Sequence, residues 1–180
     1  MNKYKLDKSD TTRTGCGVTL YRVISLKSFY HVEVGDKGGY VSSEANLSQS
    51  GNAWVYGDAR VYGDARVYGN AWVSGNALVY GDAQVYGDTR VSGDAQVSGD
   101  AWVSGNAWVY GDAWVYGDAR VYGNAWVSGD AWVSGNAWVS GNALVYGNAH
   151  VYGNAHVYGD ARVSGDAQLP GGGCWVYVGG

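Results

Sequence analysis

GNAWVYGDARVYGDARVYGN, residues 51–70, decides the fold. It reads as a hexapeptide, G-[DN]-A-x-V-[YS], and twenty such hexads run up to Pro170 with no residue inserted or deleted, departing from the pattern only at Thr89, Leu169 and Pro170. A short fixed period predicts a solenoid before any other architecture. Within each unit Ala and Val stand two apart, so they share one face of a strand. The x residue and the Tyr or Ser after Val point the other way. Gly followed by Asn or Asp supplies a corner, because these residues tolerate the backbone angles of a tight turn. Each hexad is thus a short strand plus a corner, with Ala and Val inward.

Three such sides close a triangular coil of 18 residues. Coils stack at the ~4.8 Å spacing of hydrogen-bonded strands, giving a shaft roughly 32 Å long. Positions 18 apart therefore form columns. The x slot holds eight Trp, five Arg, three Gln, two Leu and two His. The first side carries Trp54, Trp72, Arg90, Trp108, Trp126, Leu144 and Arg162. The second carries Arg60, Leu78, Gln96, Trp114, Trp132, His150 and Gln168, and the third Arg66, Gln84, Trp102, Arg120, Trp138 and His156.

The ends depart from the repeat. KGGYVS at 37–42 and SEANLS at 43–48 read as two degenerate hexads, followed by the extra residues Gln49 and Ser50. GGCWVY at 172–177 reads as another, with Cys174 in the Ala slot as a small buried filler. Residues 1–36 do not repeat. Strands are expected at 17–24 and 30–34, forming a cap over the raw edge that a solenoid would otherwise expose. The expected divisions are an N-terminal β cap over 1–36, degenerate hexads over 37–50, the shaft over 51–170, and a degenerate hexad and tail over 171–180.

Charge narrows the partners. The net charge of −4 divides into seven Lys/Arg against five Asp/Glu in residues 1–50, and five Arg against eleven Asp in 51–170. An acidic shaft is a poor match for duplex nucleic acid, whose binding rests on neutralising phosphates. No stretch approaches the roughly 20 apolar residues of a membrane helix. The opening MNKYKLDKSD lacks the apolar core of a signal peptide, and two cysteines near opposite ends do not suggest a disulfide, so the cytoplasm is the expected compartment.

V-[YS]-G-[ND]-A-x resembles the left-handed β-helix hexapeptide superfamily, in which an aliphatic residue, turn residues, a small residue and a free position repeat. The resemblance covers 51–170 and implies an all-β, single-stranded, left-handed parallel β-helix. Handedness comes from the resemblance alone, since right-handed crossovers are the general rule. A narrower likeness lies in LYRV at 20–23, Phe29, VGD at 34–36, GGYV at 38–41, NLS at 46–48 and WVY at 54–56. This string looks like the start of bacterial and phage hexapeptide-repeat proteins, commonly labelled transferases or polymer-forming. The label is fold analogy.

The superfamily's acyltransferases carry a catalytic His and an extruded loop, and this shaft has no loop. Its γ-class carbonic anhydrases hold zinc with three His. Here His150 and His156 occupy the x slot of consecutive hexads, hence adjacent sides, too far apart to share an ion within one chain. They read as surface residues of a variable slot, as the eight outward Ser do. Asp64, Asp82, Asp100 and Asp118 stack in one corner column, which solvent, salt or a cation would screen; solvated turn residues are the simpler expectation. A second column, Asn52, Asn70, Asp88, Asn106, Asn124, Asn142 and Asp160, suits a side-chain ladder. No cofactor or metal site is expected.

The expected binding residues are therefore Trp54, Trp72, Arg90, Trp108, Trp126, Trp114, Trp132, Trp102, Trp138 and Arg120. Aromatic ladders stabilise sheets, yet so many outward Trp exceed that need, and exposed apolar patches mark interfaces. The leading expectation is a non-enzymatic rod that self-associates as a dimer or trimer, or binds a partner, through these faces. A dimer would use the first side, with four Trp. The alternatives are a small nucleotide or a glycan held on the aromatic and Arg ladders, and an acyltransferase.

Overall fold

A computed structural model describes residues 2–171 and the strand Trp175–Val176. The shaft is a parallel β-solenoid whose sides are three sheets. Strands pair with an offset of 18 residues, so x lies on x and Val on Val: Trp108↔Trp126 and Val109↔Val127 on the first side, Trp114↔Trp132 on the second, Trp102↔Arg120 on the third. Each strand makes its bonds to the coil above. Trp108 N donates to Ala125 O at 3.0 Å, and Tyr110 N donates to Val127 O at 3.0 Å.

The inward slots behave as their size dictates. Shaft Ala and Val are buried from Ala53 to Val163, forming one continuous core. Thr89, which replaces Ala, is also buried, and its hydroxyl donates to Tyr86 O at 2.6 Å. At the corners the glycine is required. Gly105 sits at φ 71°, and a Cβ there would come within 2.9 Å of Gly123 N in the next coil. An L side chain is disfavoured by the dihedral and by the stacking space at once.

The cap is an antiparallel meander. β1 (Tyr4–Arg13) pairs with β2 (Thr19–Ser25), and β2 pairs with β3 (Lys37–Val41). β3 then runs parallel to the shaft, with Tyr40↔Arg60 and Val41↔Val61. This extends the second side into a ten-stranded sheet, while the other two sides have seven strands each. β3 crosses close over the first coil at two glycines. A Cβ on Gly39 would lie 2.5 Å from Ala59 O, and one on Gly38 would lie 2.6 Å from Val55 O.

Three expectations change. Residues 30–34 form a loop with a single Phe29↔Val32 bridge, because the segment has no neighbouring strand to pair with along its length. β1 was not expected, since YKLDKSDTTR lacks an apolar face; it is an edge strand that is exposed along most of one face. In SEANLS, Leu47 keeps the Val slot against Val67, but a 3-10 turn at Glu44–Asn46 turns Ala45 outward and Asn46 inward. Buried Asn46 is satisfied by donating from Nδ2 to Gly63 O and Ala65 O, each at 2.9 Å. Trp175↔His156 and Val176↔Val157 keep the expected phase after one extra residue. Cys174 lies outside the described residues.

The first residues plug the open end of the shaft. Lys3 N donates to the side-chain oxygen of the extra residue Gln49 at 2.8 Å, and Tyr4 OH donates to Leu47 O at 2.6 Å. Lys3 Nζ donates to Ala53 O at 2.8 Å and lies 5.2 Å from the Phe29 ring centroid. Burial, helped by nearby Lys27, pulls the Lys3 ammonium down from 10.5 to about 8. The unfolded chain therefore holds this proton between pH 8 and 10.5 when the folded chain does not. Lys3's contribution to stability is at its least favourable below pH 8, and it improves as pH rises through that window. Urea midpoints of the wild type minus those of Lys3→Met, measured from pH 7 to 10, should rise with pH; a flat difference would contradict this. Subtracting the variant removes the tyrosine titrations common to both.

Candidate functional site

The outward slots stack into ladders because every x residue sits one coil below an x residue. On the first side the Arg90 guanidinium lies 4.9 Å from the Trp108 ring centroid, and Trp108 stacks on Trp126 at 5.2 Å. On the second, Trp114 stacks on Trp132 at 5.4 Å, and Trp132 on His150 at 4.8 Å. On the third, Arg120 lies between Trp102 and Trp138, 5.2 Å from each, and Trp138 stacks on His156 at 4.9 Å. Contacts of this kind contribute about 0.5–1 kcal/mol each at exposed sites.

A second contact crosses the ladder. Tyr86, Tyr110, Tyr116 and Tyr122 each present an edge to the Trp sixteen residues later, at 6.3–6.4 Å. The corner amides add polar ladders: Asn52 donates to Asn70 and Asn70 to Asp88, then Asn106 to Asn124, Asn124 to Asn142 and Asn142 to Asp160. Each run ends on an Asp, which can accept but not donate.

The faces are not as expected at the N-terminal end. Trp54 is fully buried. It points outward from its strand, but the cap lies over it, with Tyr4 and Phe29 packed edge-on at 6.5 and 5.4 Å. Trp72 is half-buried against Tyr30 at 5.5 Å and His31 at 6.3 Å. The first side is therefore not a flat face of four Trp. The exposed Trp lie further along: Trp126 is 40% exposed, Trp102 39%, Trp114 38% and Trp132 37%. They belong to seven consecutive hexads, 99–140, that carry Trp at every x slot except Arg120. These hexads wind the Trp around all three sides, as an aromatic belt rather than one Trp-rich side.

Between cap and belt lies a groove of about 420 Å³. Tyr30 and His31 of the cap line it together with Trp72, Ser74, Arg90, Ser92 and Trp108 of the shaft. The serines leave room there. Where Tyr stands sixteen residues before a Trp it packs against the side of the ladder, but before Trp108 that position is Ser92, as before Trp114 it is Ser98. Tyr30 has φ 48°, the only positive φ at a non-glycine among the described residues. Such strain persists where the surroundings hold it in place, and it clusters at functional sites.

Sequence reasoning found Trp72, Arg90 and Trp108 but not the residues that complete the groove. Tyr30 and His31 come from the cap, whose path no periodicity encodes. The Ser74 and Ser92 substitutions were visible, but their effect depends on the sixteen-residue stagger between coils.

Other chemistry-bearing groups are placed differently. His150 and His156 stand on separate sheets, stacked on separate Trp. Among the described residues, no group of three or more His, Cys, Asp or Glu is placed to hold a metal ion. Cys16 is an exposed free thiol in the β1–β2 turn, 3.0 Å from Thr14 Oγ1, and that hydrogen bond draws its pKa below the usual value. Among the described residues, no helix is long and apolar enough to cross a membrane.

Comparison with family models matches nine segments to the YdcK beta solenoid repeat: 59–75, 71–87, 83–99, 95–111, 101–117, 113–129, 119–135, 137–153 and 155–169. No curated protein matches the chain. With these segments spanning most of the shaft and the same coil geometry throughout, the chain belongs to the YdcK beta-solenoid repeat family.

Proposed function

We propose that this protein is a non-enzymatic binding rod that self-associates through its aromatic belt. The observation that carries this reading is the belt itself, with Trp102, Trp114, Trp126 and Trp132 more than a third exposed on three sides. Trp, Tyr and Arg are the residues enriched at binding hot spots, and contiguous exposed apolar surface marks an interface. A second copy suits the belt better than an unrelated partner does. Its ladders have the same ~4.8 Å pitch, so the exposed ring edges of one copy can lie in register against those of another along the whole contact.

Catalysis of the hexapeptide-transferase kind has less support. His150 and His156 lie flat on Trp132 and Trp138, on different sides of the rod. Sedimentation velocity tests the proposal. A dimer or larger species at micromolar concentration is expected, and a monomer there would contradict it.

A further inference from the structure

We infer that the groove beneath the cap is a binding site for a planar aromatic anion. It does not depend on self-association, because Trp108 is the only belt residue among those that line it.

Three observations define the ligand. The first is volume. About 420 Å³ lies within the range of small-molecule sites, and its lining includes Ser74 and Ser92, where the repeat carries Ser instead of the larger Tyr. The second is ring surface. Trp72, Trp108 and Tyr30 line that space, Trp108 by its edge because Arg90 and Trp126 cover its faces, and such aromatic surface favours a flat ring.

The third is charge. Arg90 is exposed and stacks on Trp108 alone. Arg120, its counterpart on the third side, has a Trp on each face. Among the described residues no carboxylate lies within ion-pair range of Arg90, and none lines this groove. The remaining polar groups are the His31 imidazole and two serine hydroxyls, all able to donate to an anion. Asp88 lines the neighbouring hollow on the corner side, which Tyr30, Trp72 and Arg90 also border, but it makes no ion pair with Arg90. An aromatic ring with a phosphate or carboxylate attached answers both the ring surface and the unpaired guanidinium.

Backbone strain at Tyr30 fits this role. A non-glycine residue at φ 48° is held there by its packing on His31, at 4.1 Å, and on Trp72. The strain fixes the tyrosine over the groove before any ligand arrives, which lowers the ordering cost of binding.

Isothermal titration calorimetry on the full chain tests the site with four probes. Adenosine 5′-monophosphate and 4-hydroxybenzoate are the phosphate and carboxylate forms of the ligand class; adenosine and inorganic phosphate each carry half of it. At least one of the first two should bind at submillimolar concentration, with each half-probe about tenfold weaker or more. Arg90→Gln should weaken binding about tenfold or more, and the fold should persist, because Gln already occupies this slot at positions 84, 96 and 168. Tyr30→Gly, which removes the strain along with the ring, should also weaken it. The inference is overturned if neither anion binds at millimolar concentration, if adenosine binds as tightly as its monophosphate and 4-hydroxybenzoate does not bind, or if Arg90→Gln leaves affinity unchanged. A monomeric protein that binds these anions would sink the self-association proposal and leave this one standing.

Discussion

Trp54→Ala is expected to destabilise the cap by about 3–5 kcal/mol, the usual cost of deleting a large buried aromatic. The indole is fully buried, and it is where the non-repeating chain and the repeating chain meet. Tyr4 and Phe29 pack on it edge-on, and β3 passes so close that a Cβ on Gly38 would lie 2.9 Å from its ring. The indole nitrogen has no hydrogen-bond partner among the described residues, so packing alone holds the ring in place. The effect should be local. In a solenoid each coil touches only its neighbours, so losing the cap exposes the first coil without unravelling the rest. Hydrogen exchange should show lost protection in β1–β3 and the first coil, with the hexads beyond 99 unchanged. Equal loss of protection in both regions would contradict this division, and no loss in either would remove Trp54 from the role of anchor.

Val109→Asp is expected to be more damaging still, at about 4 kcal/mol or more. Val109 is fully buried between Val91 and Val127, in a core of Ala and Val where the inward hydroxyl of Thr89 already donates to Tyr86 O. Burying an isolated charge costs several kcal/mol, and the narrow interior cannot relax to admit water without parting its coils. The adjacent outward position provides the contrast. Trp108→Gln changes a half-buried ladder residue to one that the slot holds elsewhere, and should cost about 1 kcal/mol. Urea denaturation followed by far-ultraviolet circular dichroism separates the two. If the two substitutions proved equally costly, the assignment of inward and outward slots would be wrong.

That assignment was legible because the hexad carries it redundantly. Small Ala and branched Val recur two apart, and Gly returns at every corner, so the strand, its inward face and its turn can be read from any one unit. Columns followed from the 18-residue coil, and the Asn52–Asn70–Asp88 run is the ladder that spacing suggested. What could not be read lies where the period stops. β1 is an edge strand rich in charge, so it has no apolar alternation to reveal it. The burial of Trp54 depends on Tyr4 and Phe29, residues that no repeat relates to it. Asn46 took an inward place that the hexad reserves for Ala45, because a 3-10 turn shifts the phase by one residue. The groove beneath the cap needs both kinds of information, the coil stagger that places Ser74 and Ser92 and the loop that carries Tyr30.

The belt and the cap divide the rod into two chemically distinct ends. Near the cap the outward ladder is covered or drawn into the groove. Beyond Gly99 the ladder is open on every side, and its stacked rings already have their faces occupied by one another. What they offer a partner is therefore their exposed edges, at a fixed pitch.

Molecular mass in solution across a concentration series tests this account most directly, comparing the wild type with Trp102→Gln, Trp126→Gln and Trp132→Gln combined. The slot already accepts Gln in three coils, so the variant should keep its fold by circular dichroism. The account predicts a wild-type dimer or larger species at micromolar concentration, and a variant whose association is at least about tenfold weaker. A monomeric wild type, or an assembly that the combined variant leaves intact, would contradict it.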